Sequence, residues 1–78
     1  MNKLTNREIE VITLIAQNKS NSEIAKILCI SIHTVKAHVC SILAKFNALG
    51  RTQAALIALK YGYITLNECN DKITIIGR

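Results

Sequence analysis

The chain has 78 residues, half of them hydrophobic, and a formal net charge of +5. This length supports one modest core, so we expect a single folded domain. Between Glu23 and Glu68 there are five basic residues and no acidic one, which favours a polyanionic partner. No apolar run approaches the roughly 20 residues of a spanning helix, and the N-terminus lacks an apolar signal core, so we expect a cytoplasmic protein without a membrane partner. The widely spaced Cys29, Cys40 and Cys69 predict reduced thiols.

The first predicted helix begins after Thr5. Thr5 and Glu8 have the spacing of a capping box, in which each side chain accepts a hydrogen bond from the other residue's backbone N–H. The helix is expected to end near Gln17. Its apolar residues at helical spacing are expected to face the core: Ile9, Ile12, Ile15 and Ala16.

A second capping box, formed by Ser20 and Glu23, starts a short helix that we expect over about 21–28. Its apolar face comprises Ile24, Ala25 and Leu28. A tight turn over 29–31 follows, with Ile30 placed to fill the angle between helices and Ser31 placed to cap the next helix.

The third predicted helix covers about 32–46, and its two faces differ in chemistry. The apolar stripe comprises Val35, Val39, Ile42, Leu43 and Phe46. The opposite face comprises His33, Lys36, Ala37, Cys40, Ser41 and Ala44. A solvated face usually carries long charged side chains of both signs, whereas small side chains let a helix approach base edges. The two helices therefore indicate a helix-turn-helix that binds DNA. A compact helical domain with a merely basic surface would explain the stripe but not the small opposite face.

A fourth helix is expected from about Arg51, after Gly50 as N-cap, to Gly62, which suits a left-handed C-terminal position. Its middle is apolar all round. At 100° per residue, the inward side is expected to hold Ala55, Ala58 and Leu59, and the outward side Gln53, Leu56, Ile57 and Lys60. A small core cannot bury both sides of one helix, so the outward side predicts the seam of a two-fold dimer; ordinary surface, or a cover formed by the tail, is the alternative.

Five segments in this order carry a family resemblance: Leu4–Glu8, Ser22–Ala25, Ser31–His38, Lys45–Phe46 and Arg51–Ala54. Together they resemble the DNA-binding domain of the LuxR/GerE family, which is also the output domain of NarL- and FixJ-type response regulators. The resemblance implies an all-α, four-helix domain over 1–64, with a trihelical core, a third helix that enters the major groove and a fourth that dimerises. A chain that begins almost at its first helix resembles the stand-alone GerE type, or a domain separated from its partner domain.

Carried over by position, the resemblance implies that Lys36, Ala37 and Cys40 face the bases. It places His33, Thr34, Lys45 and Arg51 nearer the phosphates. Lys36 can donate to guanine O6 and N7, whereas Ala37 offers only apolar contact, for instance to a thymine methyl. Cys40 departs from the family's pattern, in which a polar or basic residue often stands at this place.

We expect no enzymatic activity, cofactor or metal. Gly50, Gly62 and Gly77 stand at helix boundaries or near the terminus and form no phosphate-binding loop. His38 and Cys40 lie about 160° apart on their helix, so they cannot share a metal. The alternative to a DNA-binding transcription factor is a protein-interaction module of the same fold that contacts RNA polymerase or another regulator.

The tail over 65–78 lies beyond the resemblance. Residues 72–76 have β propensity, but a single strand has no partner in an all-α domain. The tail is therefore expected either to be disordered or to cover the fourth helix.

Overall fold

The computed structural model describes residues 3–67 and 72–75 of the chain. Four helices come first: α1 (Asn6–Ala16), α2 (Asn21–Leu28), α3 (Ile32–Phe46) and α4 (Arg51–Lys60). Two short strands follow, β1 (Ile64–Asn67) and β2 (Lys72–Ile75). The four predicted helices, and with them the helical fold class, are confirmed.

Side chains at the helix starts satisfy backbone N–H groups that have no partner within the helix. Thr5 Oγ1 accepts from the backbone N–H of Glu8 at 3.1 Å, and Glu8 Oε1 accepts from that of Thr5 at 2.9 Å. Ser20 and Glu23 repeat this arrangement at α2, and Ser31 Oγ caps α3. Both predicted capping boxes and the Ser31 cap are confirmed.

Residues with a left-handed backbone conformation end α2 and α3. Cys29 (φ 58°) closes α2, and Asn47 (φ 53°) closes α3. At Gly62 (φ 82°) the chain turns back, and the backbone N–H of Tyr63 donates to the carbonyl of Ala58 at 2.9 Å. None of the four helices alone is long and apolar enough to cross a membrane; only α2 and α3 together reach that length and composition, and they meet at a bend of 109°.

One hydrophobic cluster joins the four helices and the start of β1. Its buried members are Leu4, Val11, Ile12, Ile24, Ala25, Val35, Ile42, Phe46, Ala54, Ala58 and Ile64. Val11 is fully buried, although the sequence did not place it inward. The predicted inward residues Ile9, Ile15 and Ala16 are only half-buried. Ile12 is fully buried and the other three pack against the core, as predicted; Val11 joins them because α1 packs against α3, α4 and β2 at once.

The inward side of α4 agrees with the prediction at Ala58 and Leu59 but also includes Ala54 and Ile57. Ala54 and Ala58 are its buried residues, with 1% and 0% of their surface exposed. Ile57, predicted to face outward, packs against the core. Leu56 remains outward, with 61% exposed. The helix is therefore rotated from its predicted setting by less than the roughly 100° that separates neighbouring residues.

A hairpin follows α4. β1 pairs antiparallel with β2, from Ile64 opposite Ile75 to Asn67 opposite Lys72. The expectation that a strand in the tail would lack a partner was wrong, because the residues after the Gly62 turn supply one. Ile64 is 1% exposed, so the core continues past α4, and the predicted domain boundary falls inside β1. Cys69 and Gly77 lie outside the described residues.

Candidate nucleic-acid interface

The fold presents one side of α3 to solvent. Val35 and Ile42 are buried on the opposite side, where α3 packs against α1, α2 and α4. The exposed side, here called the outer face of α3, comprises His33, Lys36, Ala37, Cys40 and Ala44. All five residues were predicted to lie opposite the apolar stripe, and all five are exposed.

The chemistry of the outer face is simple. Lys36 is its one long charged side chain and makes no ion pair or hydrogen bond with the described part of the chain. Ala37 and Ala44 are small, and Cys40 is an exposed, free thiol. Such a surface can approach a partner closely while donating hydrogen bonds from a single ammonium group.

The N-terminus of α3 lies at one end of this face. Its first turn contains no acidic residue, so the partial positive charge of the helix terminus is not neutralised locally. His33 and Thr34 are exposed there. The Thr34 and Ser31 hydroxyls lie 2.9 Å apart, which keeps Thr34 within the cap. A helix terminus with this chemistry suits a phosphate group.

Ser41 does not belong to the outer face, contrary to the sequence prediction. Its hydroxyl donates to Oε2 of Glu8 at 2.5 Å. Lys45 Nζ lies 2.7 Å from Oε1 of the same carboxylate and also donates to the carbonyl of Lys3 at 3.1 Å. The predicted phosphate contact Lys45 is thus half-buried, and its charge is compensated inside the domain.

Glu8 is the charged residue at the centre of this cluster. Burial by itself raises its pKa, but hydrogen bonds from Lys45, Ser41 and the Thr5 backbone outweigh that effect and lower the pKa from 4.5 to about 2. The carboxylate is therefore ionised although only 4% of the residue is exposed. Sequence reasoning placed Glu8 in a capping box and missed its contacts with α3.

Arg51 also has internal partners. Its Nη1 donates to Asn21 Oδ1 at 2.6 Å, and its Nη2 donates to the carbonyl of Lys19 at 3.0 Å. The first residue of α4 is thereby joined to the start of α2. These contacts were not predicted.

The outward side of α4 holds three of the four residues predicted for a dimer seam. Gln53, Leu56 and Lys60 are exposed. Ile57 is partly buried against the core, so only part of its side chain could contact a second copy. Beside Leu56 runs a groove between α1 and α4, lined among others by Ile15, Ala16, Thr52, Ala55 and Leu59. In the described part of the chain, no three His, Cys, Asp or Glu residues are grouped so that they could hold a metal ion.

The family model of the bacterial regulatory proteins of the luxR family matches residues 2–58. The transcriptional regulatory protein YhcZ of Bacillus subtilis (strain 168) is 58% identical over 59 residues, which cover 76% of this chain and 28% of YhcZ. The solved structure of the transcription factor GerE aligns with a TM-score of 0.74 and 35% identity over 80% of this chain and 92% of GerE. A complex of VqmA from Vibrio cholera with a ligand and DNA aligns with a TM-score of 0.72 and 39% identity over 80% of this chain and 27% of VqmA.

The match covers the helices that build the interface. The chain spans 28% of the length of YhcZ but 92% of GerE. Both proteins are transcription regulators by name. The chain therefore belongs to the luxR family of bacterial regulatory proteins, a family of DNA-binding transcription regulators.

Proposed function

We propose that this domain binds specific sites in double-stranded DNA as a homodimer and regulates transcription there, with α3 lying in the major groove. The observation that carries the proposal is the outer face of α3, which is exposed and combines small side chains with one Lys that has no partner among residues 3–67 and 72–75. The major groove is wide enough to admit an α-helix. Because α3 contains no acidic residue, no carboxylate of this helix would repel the DNA phosphates.

The base contacts are assigned to Lys36, Ala37 and Cys40. The Lys36 ammonium can donate to guanine O6 and N7, and Ala37 fits against a thymine methyl. His33 and Thr34, at the positive end of α3, are assigned to phosphates. Arg51 uses two N–H donors internally and has others left for a phosphate.

The homodimer would place two copies of α4 against each other. Leu56 is the largest apolar side chain exposed on that helix, and Gln53 and Lys60 flank it on the outward side. A two-fold contact of this kind presents two α3 helices to two half-sites. It would also cover the apolar groove beside Leu56.

A regulator that binds chromosomal DNA acts in the bacterial cytoplasm, which is where we place it. Contact with RNA polymerase is the second candidate function. It would need surface outside α3, and Ile27 of α2 and Leu49 of the α3–α4 turn are 51% and 95% exposed.

Selection of binding sites from random duplex DNA tests the proposal. We expect an enriched pseudo-palindrome with two half-sites about one helical turn apart. An enriched single half-site would contradict the dimer. If the selected sequences show no preference, specific DNA binding is contradicted. Interaction with another protein would then be the favoured function.

A further inference from the structure

Glu8 links the start of α1 to α3 through a buried carboxylate. Its two oxygens accept hydrogen bonds from Ser41 Oγ at 2.5 Å and from Lys45 Nζ at 2.7 Å, and Oε1 also accepts from the backbone N–H of Thr5 at 2.9 Å. Only 5% of the Glu8 side chain and 22% of the Lys45 side chain are exposed. Polar contacts this well buried have fixed geometry, because each lost partner would leave an unsatisfied group.

The two partners on α3 lie four residues apart, on successive turns of the helix. Contacts to two turns from one carboxylate restrict both the rotation of α3 about its axis and its shift along that axis. Apolar packing alone restricts these movements less, since it is non-directional. Ser41 directly follows Cys40 of the outer face, so the rotation that Glu8 fixes is the rotation that aims this face.

The same contact changes the charge beside the outer face. Lys45 directly follows Ala44, and an α-helix is only about 10–12 Å wide with its side chains. With α3 in the major groove as proposed, an uncompensated ammonium there would attract phosphates within about one Debye length, roughly 10 Å at 0.1 M salt. The Glu8 carboxylate cancels that charge at 2.7 Å.

We infer that Glu8 is a positioning residue for DNA recognition: it sets the rotation of α3 and prevents Lys45 from adding a sequence-independent phosphate attraction. The inference rests on the proposed function. It reverses the expectation that Lys45 is a phosphate contact. It also makes specificity depend on a residue that does not touch DNA.

The test is Glu8→Gln, measured by affinity for the selected site and for random duplex over a range of salt concentrations. The amide keeps the size of the side chain and can still accept from Lys45, but it does not cancel the ammonium charge. We expect tighter binding to random duplex and a salt dependence steeper by about 0.9 in log–log slope, equivalent to one more phosphate contact. The ratio of specific to random affinity should fall about fivefold, the effect of one hydrogen bond of ordinary strength.

Two further variants separate positioning from general charge. Glu10→Gln adds the same net charge on α1, but Glu10 pairs with Arg7 on the surface, 3.2 Å away. This control should leave the specificity ratio unchanged. The double variant Glu8→Gln/Lys45→Met should restore the original salt slope, because the released charge is removed with Lys45.

Unchanged slope and ratio in a folded Glu8→Gln variant would overturn the inference while leaving DNA binding intact. If the unaltered chain binds no duplex, the proposed function itself fails. If circular dichroism shows that Glu8→Gln does not fold, the inference is tested instead with Ser41→Ala. This variant removes one contact of Glu8 and changes no charge. A lower specificity ratio with unchanged slope for Ser41→Ala then supports positioning, and an unchanged ratio overturns it.

Discussion

The guanidinium of Arg51 donates to the side-chain oxygen of Asn21 at 2.6 Å, which joins the first residue of α4 to the first residue of α2. A second bond, to the carbonyl of Lys19 at 3.0 Å, uses the other terminal nitrogen. The planar fork of an Arg side chain can make both bonds at once, whereas a Lys ammonium on a flexible stem cannot match this geometry. Arg51 therefore fixes α4, and with it the proposed dimer seam, relative to the helix-turn-helix.

We expect Arg51→Lys to lower the free energy of unfolding by about 1–2 kcal/mol, because charge-assisted hydrogen bonds are lost while the charge is kept. Urea unfolding measures the change. Arg7→Lys is the matched control, since Arg7 is half-exposed and its one ion pair within the described residues is with Glu10, one helical turn away. It should cost at most about 0.5 kcal/mol. Equal losses in the two variants would show that the Arg51 contacts contribute little.

The helix boundaries could be predicted because capping is local. Thr5 and Glu8, or Ser20 and Glu23, meet within four residues, so the sequence alone contains both partners. Which side of α1 and α4 is buried could not be predicted fully from nearby residues. It depends on what packs against each helix, and Ile64 of β1 joins the core from beyond the predicted helices.

The candidate interface likewise has one part that the sequence predicts and another that it does not. The exposure of Lys36 and Cys40 follows from the apolar stripe of α3 itself, so the outer face was predictable. The partners of Lys45 and Arg51 are 37 and 30 positions away in the chain. No spacing rule connects residues so distant, and both were therefore assigned to phosphates without regard to their internal contacts.

Acid should destabilise the domain through Glu8. Its pKa is lowered to about 2 in the folded chain, against 4.5 for an unperturbed carboxyl. Stability from this group is fully present above about pH 4.5 and is lost as the pH falls toward 2, because the unfolded chain then binds the proton more strongly. The loss should amount to about 3 kcal/mol.

Urea unfolding at pH 7, 4 and 2.5 measures this dependence, with Glu8→Gln as the comparison. The variant should lose less stability over that interval, since it has no proton to bind at this position. Glu10→Gln is the matched control, because it removes a carboxyl of the same helix whose partner, Arg7, lies on the surface. If the unaltered chain and Glu8→Gln lose stability in parallel, the low pKa of Glu8 is not a source of acid sensitivity.

Lys36→Ala should lower affinity for the selected site by about 1–3 kcal/mol without changing the fold, because Lys36 is exposed and its assigned partner is a base edge. Sequence preference should relax at the contacted base pair. The measurement is titration of specific and random duplexes by fluorescence anisotropy. Lys26→Ala removes the same charge from the exposed surface of α2 and should affect both duplexes equally. Equal losses on both duplexes for Lys36→Ala would exclude its role in reading bases.

The dimer seam can be tested by introducing a carboxylate at Leu56. Leu56→Asp should leave the monomer folded, since this side chain is 61% exposed, but should weaken the dimer, because two carboxylates would meet in an apolar contact. Affinity for the pseudo-palindrome should fall with it, as each monomer then binds one half-site alone. Ile57→Asp should instead destabilise the fold, because Ile57 packs against the core. Sedimentation and circular dichroism distinguish the two outcomes.

Leu49→Asp is the control for the chemistry of the Leu56 change. Leu49 is 95% exposed and lies in the α3–α4 turn rather than on α4, so the same substitution there should alter neither folding nor assembly. If Leu56→Asp sediments and binds the pseudo-palindrome as the unaltered chain does, Leu56 is not in the seam. If Leu49→Asp weakens the dimer as much as Leu56→Asp, the contact is centred on the turn. Two α3 helices would then approach DNA with a different spacing, and the distance between selected half-sites should report it.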